Sequence, residues 1–282
     1  MKRKNLLILL LVSIIAPLQA QNFSYFNTTY FNADTLNILA QAIQPIENGY
    51  LSLGGYATVE GRFLYIRKLN SLGQNLWIKP IDAEDNVGLG VIETGRQVIK
   101  TNDNAIVVAY YRVDSSFTSK TDVCIVKLNY NGDTLWRKIY GDTLSNSVPR
   151  QIIQTNDGGF AIAGWKQYEN EEGKFLLLKL DEQGDFMWEK TYSHVDGSAE
   201  AFSVQQTWWD SGYVLGGFGV IANVDDPTTG HKDTYVVKTD QLGNYEWHKT
   251  YGGLENDCAC YVEPTTNWQD YSIDEEITYL MV

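Results

Sequence analysis

The chain reads as an all-β protein, a β-propeller of four-stranded antiparallel blades. Three observations predict it. First, a ten-residue segment recurs four times without a gap: KLNSLGQNLW (68–77), KLNYNGDTLW (127–136), KLDEQGDFMW (179–188) and KTDQLGNYEW (238–247). The shared pattern, K-[LT]-[ND]-x-x-G-[QDN]-x-x-W, sets Trp77, Trp136, Trp188 and Trp247 apart by 59, 52 and 59 residues. Second, each repeat holds four runs of strand length bounded by turn residues. Third, no segment outside the first 20 residues sustains a 3.6-residue apolar period. Four short strands per repeat is the pattern of a propeller blade. A sandwich would not demand the same Trp and turn in every unit, and a β-solenoid would have shorter units.

The strands of a unit are A, B, C and D in chain order. Strand A is the RQIIQT type (150–155) or SVQQT (203–207). Strand B is NGYLSLGG (48–55), DNAIVVAY (103–110), DGGFAIAG (157–164) or DSGYVLGG (210–217). The A–B link reads as a two-residue hairpin of the N-D-G-G type. Small residues in strand B, among them Gly54, Gly55, Ala163, Gly164, Gly216 and Gly217, would let neighbouring sheets approach closely. Strand C is FLYIRKL (63–69), DVCIVKL (122–128), FLLLKL (175–180) or TYVVKT (234–239), near-continuous apolar runs that predict burial on both faces. A turn [ND]-x-x-G follows, where glycine supplies a positive φ. Strand D carries the Trp, with Lys79, Lys138, Lys190 or Lys249 two positions on, and Tyr140, Tyr192 or Tyr251 two further. Spacing of two puts Trp, Lys and Tyr on one face, the Trp as packing and the Lys stem snorkelling over its ring.

The ends predict how a ring would close. Phe26-Asn27-Thr28-Thr29-Tyr30 imitates a strand D with Phe in the Trp place. After four units, 259–263, 270–273 and 276–282 read as strands A, B and C of a fifth. Five blades are expected, the last completed by the N-terminal strand, which removes an open sheet edge.

Residues 1–20 read as a secretory signal: Lys2, Arg3 and Lys4, an apolar stretch from Leu6 to Ala16, and Leu18-Gln19-Ala20 at the cleavage site. That stretch is too short to span a bilayer, no later one is long enough, and no lipid-anchor Cys follows it. An exported protein, periplasmic, cell-surface or extracellular, is expected. Cleavage would leave 262 residues and, with three basic residues gone, lower the net charge from −13 to −16. Such a charge repels phosphate backbones, which argues against nucleic acid as a partner. Cys124, Cys258 and Cys260 are too few for a disulfide framework and read as buried small hydrophobes.

Trp208, Trp209 and Trp268 break the repeat. They fall in A–B turns of adjacent units, hence on one face, and rings at loop tips can stack on a sugar. The D–A and B–C loops share the opposite face and are rich in acids, read as a solvated rim. Within it Asp225, Asp226, His231 and Asp233 are the best metal-ligand set, since carboxylates suit Ca²⁺ and an imidazole suits Zn²⁺. No G-x-S-x-G, H-E-x-x-H or P-loop is present, and Gly88-Leu89-Gly90 lacks the third glycine of a dinucleotide fingerprint. No catalytic residue is assigned. A glycoside hydrolase would need two loop carboxylates facing one sugar.

The D-x-x-G-x-x-x-W turn and strand resemble the Trp-docking repeats of quinoprotein-like propellers, whose pattern has one more residue before the glycine. The G-G-[FY]-x-[IL]-x-G and KLD-x-x-G-[DN]-x-x-W segments resemble more closely the exported propeller-like repeat proteins of Bacteroidetes-type bacteria. This resemblance covers nearly all of residues 22–282 and implies architecture, not activity. The quinoprotein enzymes bind a quinone and Ca²⁺ and use a disulfide of adjacent cysteines. No such Cys pair exists here, and five units fall short of their eight, so no cofactor is expected. The chain departs as well from the S-x-D-x-G-x-x-W box of sialidase-type propellers, its Gly–Trp spacing being one longer. The reading that follows is a non-enzymatic binding or interaction scaffold for an extracellular protein or glycan, with a lectin-like sugar binder as the alternative.

Overall fold

The computed structural model describes residues 38–58, 61–81, 97–113, 120–194, 197–221, 230–253, 255–258, 261–264 and 279–281. Their regular structure is all strand. Sheet 1 holds β1 (Ile38–Ile46), β2 (Gly49–Thr58), β3 (Gly61–Asn70) and β4 (Asn75–Pro80). Sheet 2 holds β5 (Gln97–Lys100), β6 (Ile106–Val113), β7 (Thr121–Leu128) and β8 (Thr134–Tyr140). Sheet 3 holds β9 (Ser145–Gln154), β10 (Phe160–Tyr168), β11 (Lys174–Leu180) and β12 (Phe186–Tyr192). Sheet 4 holds β13 (Ala199–Gln206), β14 (Tyr213–Ile221), β15 (His231–Thr239) and β16 (Tyr245–Tyr251). Each is an antiparallel meander in chain order, the four A-B-C-D units expected. Among the described residues no helix is long and apolar enough to cross a membrane. The signal segment and the strand expected at 26–30 lie outside the described residues.

The core is divided between the sheets. Leu51, Leu53, Ile66, Val108 and Val126 pack between sheets 1 and 2, Val107, Ile125, Ile162 and Leu178 between 2 and 3, and Ala163, Leu177, Leu215 and Val237 between 3 and 4. Strand C supplies both faces of this packing, so β7, β11 and β15 are buried almost throughout, as their apolar runs predict. The A strands pack on one another in succession, β1 on β5, β5 on β9 and β9 on β13, which makes them the inner edge of the stack. Strand D is the outer, more exposed edge.

Strand A runs longer than its motif. A bulge at Arg150 in β9 and at Phe202 in β13 shifts the register by one residue and lets pairing continue. Residues 145–149 of β9 and 199–202 of β13, which precede the motifs at 150–155 and 203–207, are therefore strand. Opposite the bulges stand Gly164 and Gly217, where a Cβ would overlap the carbonyls of Val148 and Glu200. These two glycines thus serve their own sheet, correcting the expectation of close sheet-to-sheet approach. Gly216 does meet a neighbour: a Cβ there would lie 2.9 Å from the Val262 Cβ.

The C–D turns share one geometry and the A–B turns do not. All four C–D turns are alike: Asn70, Asn129, Asp181 and Asp240 each accept two backbone N–H bonds through Oδ1, and Gly73, Gly132, Gly184 and Gly243 hold φ of 74–83°. The A–B link is a two-residue turn only in sheet 1, where Ile46 pairs with Gly49. In sheet 3 residues 155–159 separate the strands, closed by Thr155 N–H on the Gly159 carbonyl at 2.9 Å, so the two-residue reading is corrected there.

Beyond sheet 4, β17 (Val262–Pro264) packs on β13 and β14. It pairs directly with β18 (Tyr279–Met281), Val262 opposite Met281. The expected order would put a strand at 270–273 between them. The direct pairing corrects that order, and 270–273 itself lies outside the described residues.

Candidate functional site

The repeat residues build the junctions between units. Trp77 lies on Gly132 of the next C–D turn, Trp136 on Gly184 and Trp188 on Gly243, ring atoms 2.6–3.0 Å from where a Cβ would stand. Only glycine admits an indole that close. The Tyr four residues further along the strand completes the contact: Tyr140 donates to the Gly184 carbonyl and Tyr192 to the Gly243 carbonyl at 2.7 Å. Burial raises both phenols well above their ordinary pKa. The intervening lysine reaches the residue after the glycine: Lys79 pairs with Asp133 at 3.0 Å and Lys138 with Asp185. Lys138 also sits 5.8 Å from the Trp136 ring centroid, so the expected snorkelling is present but the ion pair gives the lysine its partner.

The other repeated lysine, in strand C, is a structural charge that sequence reasoning aligned but did not explain. Lys127, Lys179 and Lys238 are buried and pair with Asp103 (2.8 Å), Asp157 (2.9 Å) and Asp210 (2.7 Å) of their own A–B turns. Each Asp also accepts from a threonine at the turn's start, Thr101, Thr155 or Thr207. Burial pushes the Asp157 and Asp210 carboxyls up, but the threonine and lysine hydrogen bonds outweigh it and hold both below the usual carboxylate range. The signal that could have found this is the shared T-x-D or T-x-x-D before strand B.

Glutamines tie the inner edge together. Ile152 N–H donates to Gln97 Oε1 (3.0 Å), Val204 N–H to Gln151 Oε1 (2.6 Å) and Val262 N–H to Ser203 Oγ (3.0 Å), which continues the succession from β13 to β17. A second set runs backward: Asn102 N–H donates to Gln154 Oε1 and Asn156 N–H to Gln206 Oε1, both at 2.8 Å.

Trp208 occupies the place of Asn102 and Asn156, and in the following unit Pro264 replaces the glutamine. Its ring is 66% exposed on a turn pinned by Asp210, which accepts from Gly212 N–H at 2.9 Å and from Lys238. Trp209 packs edge-on against it, centroids 5.6 Å apart. The A–B and C–D turns share one end of the sheets, so Trp208 and the exposed Leu242 are on the same face. Trp268 lies outside the described residues.

At the opposite end, His231 and Asp233 open β15 with His231 Nε2 3.5 Å from Asp233 Oδ1. Asp225 and Asp226 lie outside the described residues. Among the described residues no group of three or more His, Cys, Asp or Glu is arranged to hold a metal ion. The acidic rim is partly engaged in structure: Glu200 pairs with Arg150, and Asp142 and Glu189 flank the buried Lys166 at 3.3 and 2.6 Å. Cys124 is buried, which raises its thiol to about 12, whereas Cys258 is exposed and corrects the buried reading there. Cys260 lies outside the described residues.

No protein-family model and no curated protein matches the chain.

Proposed function

We propose that the chain is an exported, non-enzymatic β-propeller acting as a binding or interaction scaffold, of the kind found in Bacteroidetes-type exported repeat proteins. The observation that carries it is Trp208: Trp77, Trp136 and Trp188 are spent on the glycine turns of the next unit, while this ring, which the repeat does not need, is two-thirds exposed on a pinned turn. A rigid, exposed indole beside a second one favours a sugar face as ligand, so a lectin-like reading stands second. The partner is an extracellular glycan or protein; the acidic charge disfavours nucleic acid.

Five blades are proposed, with 26–30 as the closing strand D. Gly73 is buried with φ of 75°, like the three glycines that Trp77, Trp136 and Trp188 cover. Phe26 and Tyr30 carry the spacing to do the same.

The test uses the full mature chain against a panel of immobilised polysaccharides, extracellular-matrix proteins and chromogenic glycosides. Retention on one class, lost in Trp208→Ala, is the expected result. Glycoside turnover abolished by replacing one loop carboxylate would overturn the scaffold reading in favour of a hydrolase.

A further inference from the structure

Asp122 and Asp233 hold the same place at the start of strand C in sheets 2 and 4. Each lies flush on the glycine that follows strand D, Gly141 or Gly252, leaving no room for a Cβ. Both are buried. Their charges are answered differently. Across the ladder from Asp122 stands Arg112, whose Nε donates to Asp122 Oδ2 at 3.2 Å. Across from Asp233 stands Gly219, with the His194 ring laid against it where an arginine stem would run.

Among the described residues Asp233 Oδ1 has no hydrogen-bond partner, and a buried carboxylate that is not fully paired is costly. The group facing it is His231, two residues along the same face of β15, at 3.5 Å. That separation exceeds a good hydrogen bond. It matches the edge of a tetrahedral zinc site, where ligand atoms about 2.1 Å from the ion stand about 3.4 Å apart.

We propose that His231 Nε2 and Asp233 Oδ1 bind a divalent transition-metal ion, with Zn²⁺ the best match, and that this ion supplies in sheet 4 the positive charge Arg112 supplies in sheet 2. An imidazole beside a carboxylate suits zinc better than Ca²⁺, which wants oxygen ligands alone. Two protein ligands leave coordination positions for water or for an oxygen of a bound partner. The site lies at the end of the sheet away from Trp208 and does not depend on the scaffold reading.

The test is calorimetric titration of the full, untagged mature chain with Zn²⁺, and with Co²⁺ read by its visible absorption. One equivalent should bind in the native chain and in Asp122→Asn, and none in Asp233→Asn or His231→Gln. Without metal, Asp233→Asn should melt no lower than the native chain, because it removes a buried charge that only His231 faces, whereas Asp122→Asn should melt lower because it strands Arg112. His231 sits at the partly exposed start of its strand, so His231→Gln keeps the test open should Asp233→Asn misfold. Binding that survives both substitutions, no binding at all, or a metal-free Asp233→Asn that melts as low as Asp122→Asn would each overturn the proposal.

Discussion

The junction between sheets 3 and 4 and the outer strand of sheet 4 carry the same W-x-K-x-Y motif in different surroundings. At the junction, Trp188 lies on Gly243 and Tyr192 is 7% exposed with its hydroxyl on the Gly243 carbonyl. In β16, Trp247 packs on Val214, Val236 and Val262, but Lys249 is exposed and Tyr251 is 48% exposed. The motif is thus half of a contact. The Lys and Tyr take their value from the glycine turn they meet, and in β16, where both face water, only the Trp packs.

The largest effect should come from breaking the glycine half. Gly184 combines φ of 76° with the Trp136 ring 2.6 Å from a would-be Cβ. Gly184→Ala therefore adds backbone strain to overpacking, together about 3 kcal/mol or more. Trp136→Ala should cost a similar amount by leaving a cavity. Urea melts read both, and a Gly184→Ala chain as stable as the parent would show that the indole is free to move aside.

The buried lysines come next. Lys179→Ala removes a buried cation and leaves Asp157 with Thr155 and the Gly159 N–H. Since Asp157 is half exposed, solvent screens the loss, and about 1–2 kcal/mol is expected rather than the full cost of a buried pair. The same contacts set the acid limit. The folded-state pKa values of Asp157 and Asp210 are depressed, so their stabilisation is present above the unfolded value, about 3.9, and is lost as pH falls through the folded one. Melting temperature should drop below about pH 4, and the double variant Asp157→Asn, Asp210→Asn should be lower at neutral pH but flatter in acid. An unchanged acid slope would assign the drop to other carboxylates.

Tyr192→Phe and Tyr251→Phe make the comparison on one atom. The first deletes a buried hydrogen bond and strands the Gly243 carbonyl, about 1 kcal/mol. The second deletes an exposed hydroxyl and should fall within about 0.5 kcal/mol of the parent. Equal losses would mean that Tyr251 also meets a buried acceptor.

How much of this was legible follows from where each partner sits. The Trp, the Asx turn and the buried strand C could be read because the determinants of each fall in one short run, KLDEQGDFMW (179–188) for the first two and FLLLKL (175–180) for the third. The strand A extension could not, because it depends on Gly164 standing opposite Pro149 across the bulge at Arg150, a pairing set by the bulge rather than by either sequence. Lys179 was visible as a repeat, but its role needs Asp157, 22 residues earlier. Asp233 was singled out as a possible ligand. What distinguishes it from Asp122 is the cross-strand glycine and the His194 ring, and neither is near it in the chain. Trp208 stands out in the sequence as a residue the repeat does not need.

Trp208 gives the smallest expected effect and the sharpest control. Asn102 and Asn156 have their N–H groups held by glutamines of the next unit, whereas at Trp208 the matching residue is Pro264. The turn is fixed instead from within, by Thr207 and Lys238 on Asp210. Trp208→Ala should therefore leave stability within about 0.5 kcal/mol of the parent, as surface substitutions do. Asp210→Asn should loosen the same turn and lower the melting temperature. If Trp208→Ala instead costs as much as Trp188→Ala, the ring is a cap for the edge of sheet 4. Its exposure would then carry no argument for a ligand.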